Sequence, residues 1–145
     1  MKKISLLFVA FAAFLLLACI ASKRAPKPIP LQSTYWVLTA VEGKSIADIP
    51  QIKTPYIIFD TNYKYYGDFG CNQFFGSYNF GKKRLSMDYA GATKKMCSEM
   101  QIEKLFAAAL HKEIKYYTIE GNTLTLKDMQ KNEVLRFLLG TKPAE

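Results

Sequence analysis

Residues 64–80 read KYYGDFGCNQFFGSYNF, and the fold turns on them. Two aromatic-rich runs, Lys64 to Phe69 and Phe74 to Phe80, flank Gly70-Cys71-Asn72. Aromatic side chains suit a pleated, half-buried surface, so each run is expected as a strand. Gly67, Gly70, Gly76 and Gly81 punctuate the runs where the chain must bend or bulge. Two strands joined by so short a link can pair only antiparallel.

The neighbouring sequence extends the pattern in both directions. Tyr35 to Val41 and Pro55 to Asp60 read as strands on the N-terminal side. Pro55 opens its strand, where a missing N–H does least harm. Arg84 to Tyr89 alternates Leu85 and Met87 with polar residues. Then the period changes. Ile102, Leu105, Phe106, Ala109 and Leu110 fall on one helical stripe. Ser98 and Gln101 form a capping-box pattern, which places a helix near 98–113. Lys115 to Glu120 and Thr123 to Lys127 flank Gly121-Asn122, a tight-hairpin signal, and Val134 to Leu139 pairs back after a polar turn. The expected class is mainly β (α+β): a small antiparallel barrel or curled sheet with one α-helix on an end or a face.

The N-terminus has a different character. Lys2 and Lys3 precede an almost wholly apolar run, Ile4 to Ala18, which ends in Leu16-Leu17-Ala18-Cys19. The run is short for a bilayer span, which needs about 20 apolar residues, but it fits a secretory signal. Its end resembles the lipobox of bacterial lipoproteins. That resemblance implies a signal peptide over 1–18 and a lipid on the thiol of Cys19. Two or three acyl chains hold far better than one, at about 0.8 kcal/mol per buried CH₂. Residue 20 is Ile rather than Asp, which by resemblance to Gram-negative sorting signals favours an outer-membrane lipoprotein facing the periplasm. Residues 19–33 are expected as anchor and tether. Pro26, Pro28 and Pro30 favour extended conformations with little fixed structure, reaching about 40 Å. The domain itself is expected over 34–145.

Composition bounds the function. Half of the 145 residues are apolar and 14% aromatic, enough for one packed domain. The formal charge is +8, yet five of the 20 lysines and arginines flank the apolar N-terminal run. From Thr34 onward 15 basic residues face 12 acids. A nucleic-acid binder would concentrate its basic charge on the folded surface. Nucleic acid is therefore not expected as a partner; a membrane, reached through the anchor, is.

The chain also resembles a known family, the META domain, which includes heat-shock-inducible envelope lipoproteins of the HslJ type. Trp36-Val37-Leu38 with Gly43, Phe59, Gly70-Cys71-Asn72 with Phe74, Gly76 and Tyr78, and Thr93 with Met96-Cys97 carry the resemblance. Glu103, Phe106, Leu110, Gly121, Leu124 and Leu126 continue it to about residue 139. The Gly-Cys-Asn motif with a second Cys before the helix is its specific part. Lys94-Lys95-Met96 departs from the family, which more often places a basic residue, Met and a small residue before that Cys. The resemblance implies a lipocalin-like barrel with a helix, an envelope location, and an association with stress or antibiotic tolerance. It supplies no enzyme activity.

Few side chains suggest chemistry. With Cys19 lipidated, Cys71 and Cys97 remain. An even remainder in an oxidising compartment suggests a disulfide; two reduced, buried thiols are the alternative. No C-x-x-C is present and His111 is the one histidine, so no metal, cofactor or Ser-His-Asp set is expected. Trp36, Gly70, Asn72, Gly76 and Thr93 are read as structural, Asn72 bonding turn backbone or adopting a left-handed conformation. His111 is expected as a solvated residue late on the helix. Asp60, Asp68 and Asp88 are expected at turns and edges. Lys82-Lys83-Arg84 and Lys94-Lys95 are expected in solvated loops, with anionic lipid heads as an alternative contact.

The functional expectation is a non-enzymatic envelope lipoprotein whose domain binds or supports another envelope protein. A carrier of a small apolar ligand, or an inhibitor of a periplasmic hydrolase, are the competing readings. The oligomeric state is open.

Overall fold

The computed structural model describes residues 27–143. The expected signal peptide and Cys19 lie outside them. Ten elements follow in chain order: β1 (Trp36–Val41), β2 (Lys44–Ser45), β3 (Tyr56–Phe59), β4 (Lys64–Asp68), β5 (Gln73–Phe80), β6 (Leu85–Ala92), α1 (Gln101–Leu110), β7 (Tyr116–Glu120), β8 (Thr123–Lys127) and β9 (Glu133–Leu139).

Eight strands form one antiparallel sheet in the order β6-β5-β4-β3-β1-β9-β8-β7, and the short β2 pairs back on β1. Hairpins supply most neighbours. The long-range join is β1 with β9, where Val37 faces Leu138 and Val41 faces Leu135. The sheet curls until its two edge strands touch at a seam. Arg84 bridges Tyr116, the Leu85 amide donates to the Lys115 carbonyl (3.0 Å), and the Tyr117 amide donates to the Lys83 carbonyl (3.2 Å). The result is an antiparallel, half-open barrel.

Alternation decides what the barrel encloses. Tyr65 and Gly67 on β4, Phe74, Gly76 and Tyr78 on β5, and Leu124 and Leu126 on β8 are buried, while several of their neighbours along the strands point outward. The largest fully buried side chains include Trp36, Tyr65, Tyr78, Phe59, Phe69, Phe74, Phe106 and Phe137. They pack ring on ring: Phe69 stacks on Phe74 at 4.2 Å, and Phe106 meets Phe69, Phe74 and Phe137 edge-on at 5.1, 5.3 and 5.9 Å. Such pairs contribute about 1 kcal/mol each beyond their buried area. The interior is a filled core.

The two ends of the barrel differ. At one end β1 begins and the turns at 60–63, 81–84 and 121–122 gather. The other end collects the turns at 42–43, 69–72 and 128–132, and α1 packs there through Ile102, Phe106, Ala109 and Leu110.

Three features depart from the sequence reading. The helix is shorter than 98–113, and Ser98 does not cap it; Met100 is the N-cap and no side chain bonds there. Cys97 is held by a disulfide and Lys95 by two hydrogen bonds, so the chain is free to coil only after them. Leu105 lies off the buried face, 40% exposed. Finally, the last part of the expected tether has fixed structure. Leu31 is buried, Gln32 forms a parallel bridge with Phe59, and the Trp36 indole N–H donates to the Leu31 carbonyl (3.1 Å). The cause is an unclosed barrel end that an apolar side chain can cover.

Candidate functional site

The residues the sequence singles out come together mainly at the helix end. β4 ends at Asp68, whose Oδ1 accepts the Gly70 amide (2.8 Å) and so tightens the turn into β5. Gly70 adopts φ +109°, and a Cβ there would stand 3.0 Å from Ile102 Cγ2 on α1. Glycine thus meets both a left-handed backbone and a close helix. Next in the chain, Cys71 is joined to Cys97 by a disulfide across a Cα–Cα distance of 6.2 Å.

Asn72 follows and is 2% exposed. Its Nδ2 donates to Glu103 Oε1 (2.8 Å) and to the Lys95 carbonyl (3.0 Å). Its Oδ1 accepts the Lys95 amide (2.6 Å) and the Thr93 hydroxyl (2.8 Å). An amide side chain has two donor hydrogens and two acceptor lone pairs, and all four are used. The Asn72 backbone amide donates to Glu103 Oε2 (2.9 Å), so Glu103 receives a fork of two bonds. Thr93 is satisfied in turn, for its oxygen also accepts the Gln73 amide (3.1 Å). One amide therefore joins the β4–β5 turn, the irregular segment that follows β6, and the first turn of α1. Asn72 does bond backbone, but that of Lys95, 23 residues further on, rather than that of its own turn, and it is not among the residues with positive φ.

Glu103 belongs to the family resemblance, yet sequence reading gives it no role. The available signal is its place in the first helical turn, where an acid is favoured by the dipole whatever else it does. Lys95 explains the departure at 94–96. Only its backbone enters the network, and Met96 is 93% exposed, so the side chains there are free to differ.

The remaining candidates lie apart. Gly76 sits at a bulge in β5, where a Cβ would overlap the Asp88 carbonyl and approach within 2.5 Å of the Tyr65 hydroxyl oxygen. The Tyr65 ring closes over that glycine. Its hydroxyl is buried with no hydrogen-bond partner among the described residues, and burial, with smaller effects of Tyr89 and Asp88, pushes its pKa far above the usual 10.0. Trp36 stands at the opposite end. Asp60 holds the β3–β4 turn through the Asn62 and Lys64 amides (both 2.8 Å), Asp68 lies at the far end of β4, and Asp88 belongs to β6. No carboxylate pair is assembled from them. His111 is exposed and meets the Tyr89 ring at 4.4 Å. Among the described residues, no group of three His, Cys, Asp or Glu side chains could hold a metal ion.

A groove of about 510 Å³ opens at the tether end. Ile29, Leu31, Phe80, Tyr117 and Ile119 line it, with Lys82, Lys83 and Glu120 beside them.

Comparison with solved structures places this fold among known ones. A protein solved by NMR is similar with a TM-score of 0.58 and 24% identity, over 77% of this chain and 95% of that one. A Burkholderia xenovorans protein, also solved by NMR, gives 0.57 and 25% over 84% and 96%. A DUF4847-family protein from Bacteroides vulgatus, known from a crystal structure, gives 0.55 and 15% over 78% and 96%. Comparison with curated proteins found no match. The META domain profile matches residues 29–141, which takes in both the docked Leu31 segment and the Asn72 network. The chain belongs to the META domain family.

Proposed function

We propose that this chain is a non-enzymatic module of the bacterial cell envelope. It is held at a membrane, the outer membrane facing the periplasm, by a lipid on Cys19, and its domain binds or supports another envelope component under stress or antibiotic challenge. The observation that carries the reading is how the family motif is used. Every hydrogen-bonding group of the Asn72 amide ends on Glu103, Thr93 or the Lys95 backbone. A catalytic amide keeps a donor or acceptor aimed at its substrate; here none is left over. Cys71 is likewise committed to Cys97. The motif is thus a clasp, and recognition falls to the surface.

The anchor is supported by the signal-like run before Leu16-Leu17-Ala18-Cys19, and the outer membrane by Ile20. The filled interior weighs against a carrier that encloses its ligand. The test is mass spectrometry of the mature protein together with crosslinking in intact cells, comparing wild type with Cys19→Ala. Acylated Cys19 as first residue, and crosslinked partners lost in the variant, are expected. An unmodified thiol, or a polypeptide still beginning at Met1, would refute the reading.

A further inference from the structure

We propose that the tether end of the barrel rests on an anionic lipid surface. The inference builds on the anchored reading above and adds which face of the domain meets the membrane, and through which chemistry.

Chain geography gives the first argument. The chain enters the described domain at Lys27 and docks from Ile29 onward, at the end where β1 begins. Only residues 20–28 then separate the docked segment from Cys19. Fully extended, they reach about 28 Å. So short a link keeps this end nearest the anchor.

Charge gives the second. Lys27, Lys64, Lys82, Lys83 and Arg84 are exposed at this end, against Asp60 and Glu120. None of these five cations takes part in an ion pair among the described residues. The helix end is different: Lys53 pairs with Asp68 and Lys112 with Glu42, and acids and bases are mixed there. An unpaired basic end matches a surface of phosphate head groups.

Aromatic exposure gives the third. Tyr63 is 52% exposed and Phe80 36%, and their rings lie 6.3 Å apart. Phe80 also meets Tyr117 at 6.4 Å. Tyrosine favours the head-group layer, where one side is apolar and the other wet, and the Phe80 ring beside Tyr63 and Tyr117 adds apolar surface there. The groove joins the two features. Phe80 and Ile119 offer apolar walls, and the Lys82 and Lys83 ammonium groups stand beside them for a phosphodiester.

The test separates this inference from the anchor. The anchor-free domain, residues 27–145, is mixed with vesicles of phosphatidylcholine alone or with added phosphatidylglycerol. The similar solved chains are matched over 95% and 96% of their lengths, which supports using the domain without its N-terminal segment, and its own near-ultraviolet circular dichroism checks that it is folded. Sedimentation with the phosphatidylglycerol vesicles alone is expected, weakening as salt rises. Each basic residue near a charged surface changes binding by about fivefold. The triple variant K82E/K83E/R84E should therefore bind at least about a hundredfold more weakly, whereas K94E/K95E at the helix end should bind as wild type does. Equal binding to both vesicle types, an unaffected triple variant, or an equal loss in K94E/K95E would overturn the proposal. Near-ultraviolet circular dichroism checks that each variant is folded. An unacylated Cys19 would refute the anchor and leave this readout intact.

Discussion

Replacing Asn72 with alanine would take the donor from Glu103 Oε1, the acceptor from the Thr93 hydroxyl, and the partners of the Lys95 N–H and C=O, while the backbone amide of residue 72 still reaches Glu103 Oε2. The groups left behind are partly buried, and such groups cost more unpaired than a hydrogen bond yields, so Asn72→Ala should destabilise by about 2 kcal/mol, read from the urea midpoint. The same change in a Glu103→Ala background should cost less, because the two side chains act as one unit. Tyr65 gives the opposite expectation. Its hydroxyl is buried without a partner, so Tyr65→Phe should stabilise, by up to about 1 kcal/mol. The pH dependence follows. Burial raises the folded pKa of Tyr65 above 10.0, so its contribution is complete below about pH 10 and is lost as pH climbs beyond it. Tyr65→Phe should flatten the alkaline fall in stability; an unchanged slope between pH 10 and 12 would contradict this. At this scale the sequence was informative about which residues matter and silent about how they meet. Gly70, Asn72 and Thr93 are legible as a motif, whereas the partner Glu103 lies 31 residues from Asn72 on a different element.

Among elements, strands are the legible ones. The runs around Gly70-Cys71-Asn72 and Gly121-Asn122 carry their own turn chemistry, and the hairpins β4–β5 and β7–β8 form there with the expected partners. The helix start is not legible, because a capping box is a local signal and local signals yield to covalent and tertiary restraint. Ser98 has the right neighbours, but Cys97 before it is fixed to Cys71. Two measurements follow. Ser98→Ala should change stability by less than about 0.5 kcal/mol, where a true N-cap would lose about 1. Reduction of the disulfide should lower stability by about 3.5 kcal/mol, the chain-entropy value for a loop of 26 residues. Hydrogen exchange should then quicken first in α1, since reduction removes the covalent link just before it.

For the molecule as a whole, the β class and the presence of one packed helix could be read in advance. The pairing of β1 with β9 could not, because residues about 100 positions apart leave no local trace of their contact. Nor could the docking of residues 29–33, because the alternating Pro26, Pro28 and Pro30 read as a free tether. Leu31 and Ile29 cover the core there, and Gln32 donates to the Tyr78 hydroxyl (2.8 Å). A domain that starts at Thr34 should therefore be less stable than one that starts at Lys27, by about 2–4 kcal/mol in the denaturant midpoint. Equal midpoints would mean that this segment adds nothing to the fold.

That root has a mechanical consequence. Tension arriving along the chain from the N-terminal side meets Leu31, the Gln32–Phe59 bridge and the Ser33 amide on the Phe59 carbonyl (2.8 Å) before it reaches the first residue of β1. The Tyr78 hydroxyl, held on the Asp60 carbonyl (2.6 Å), spreads the load to β5. A pull is thereby shared among three strands at once, and β1 is spared from being peeled out of the sheet one bond after another.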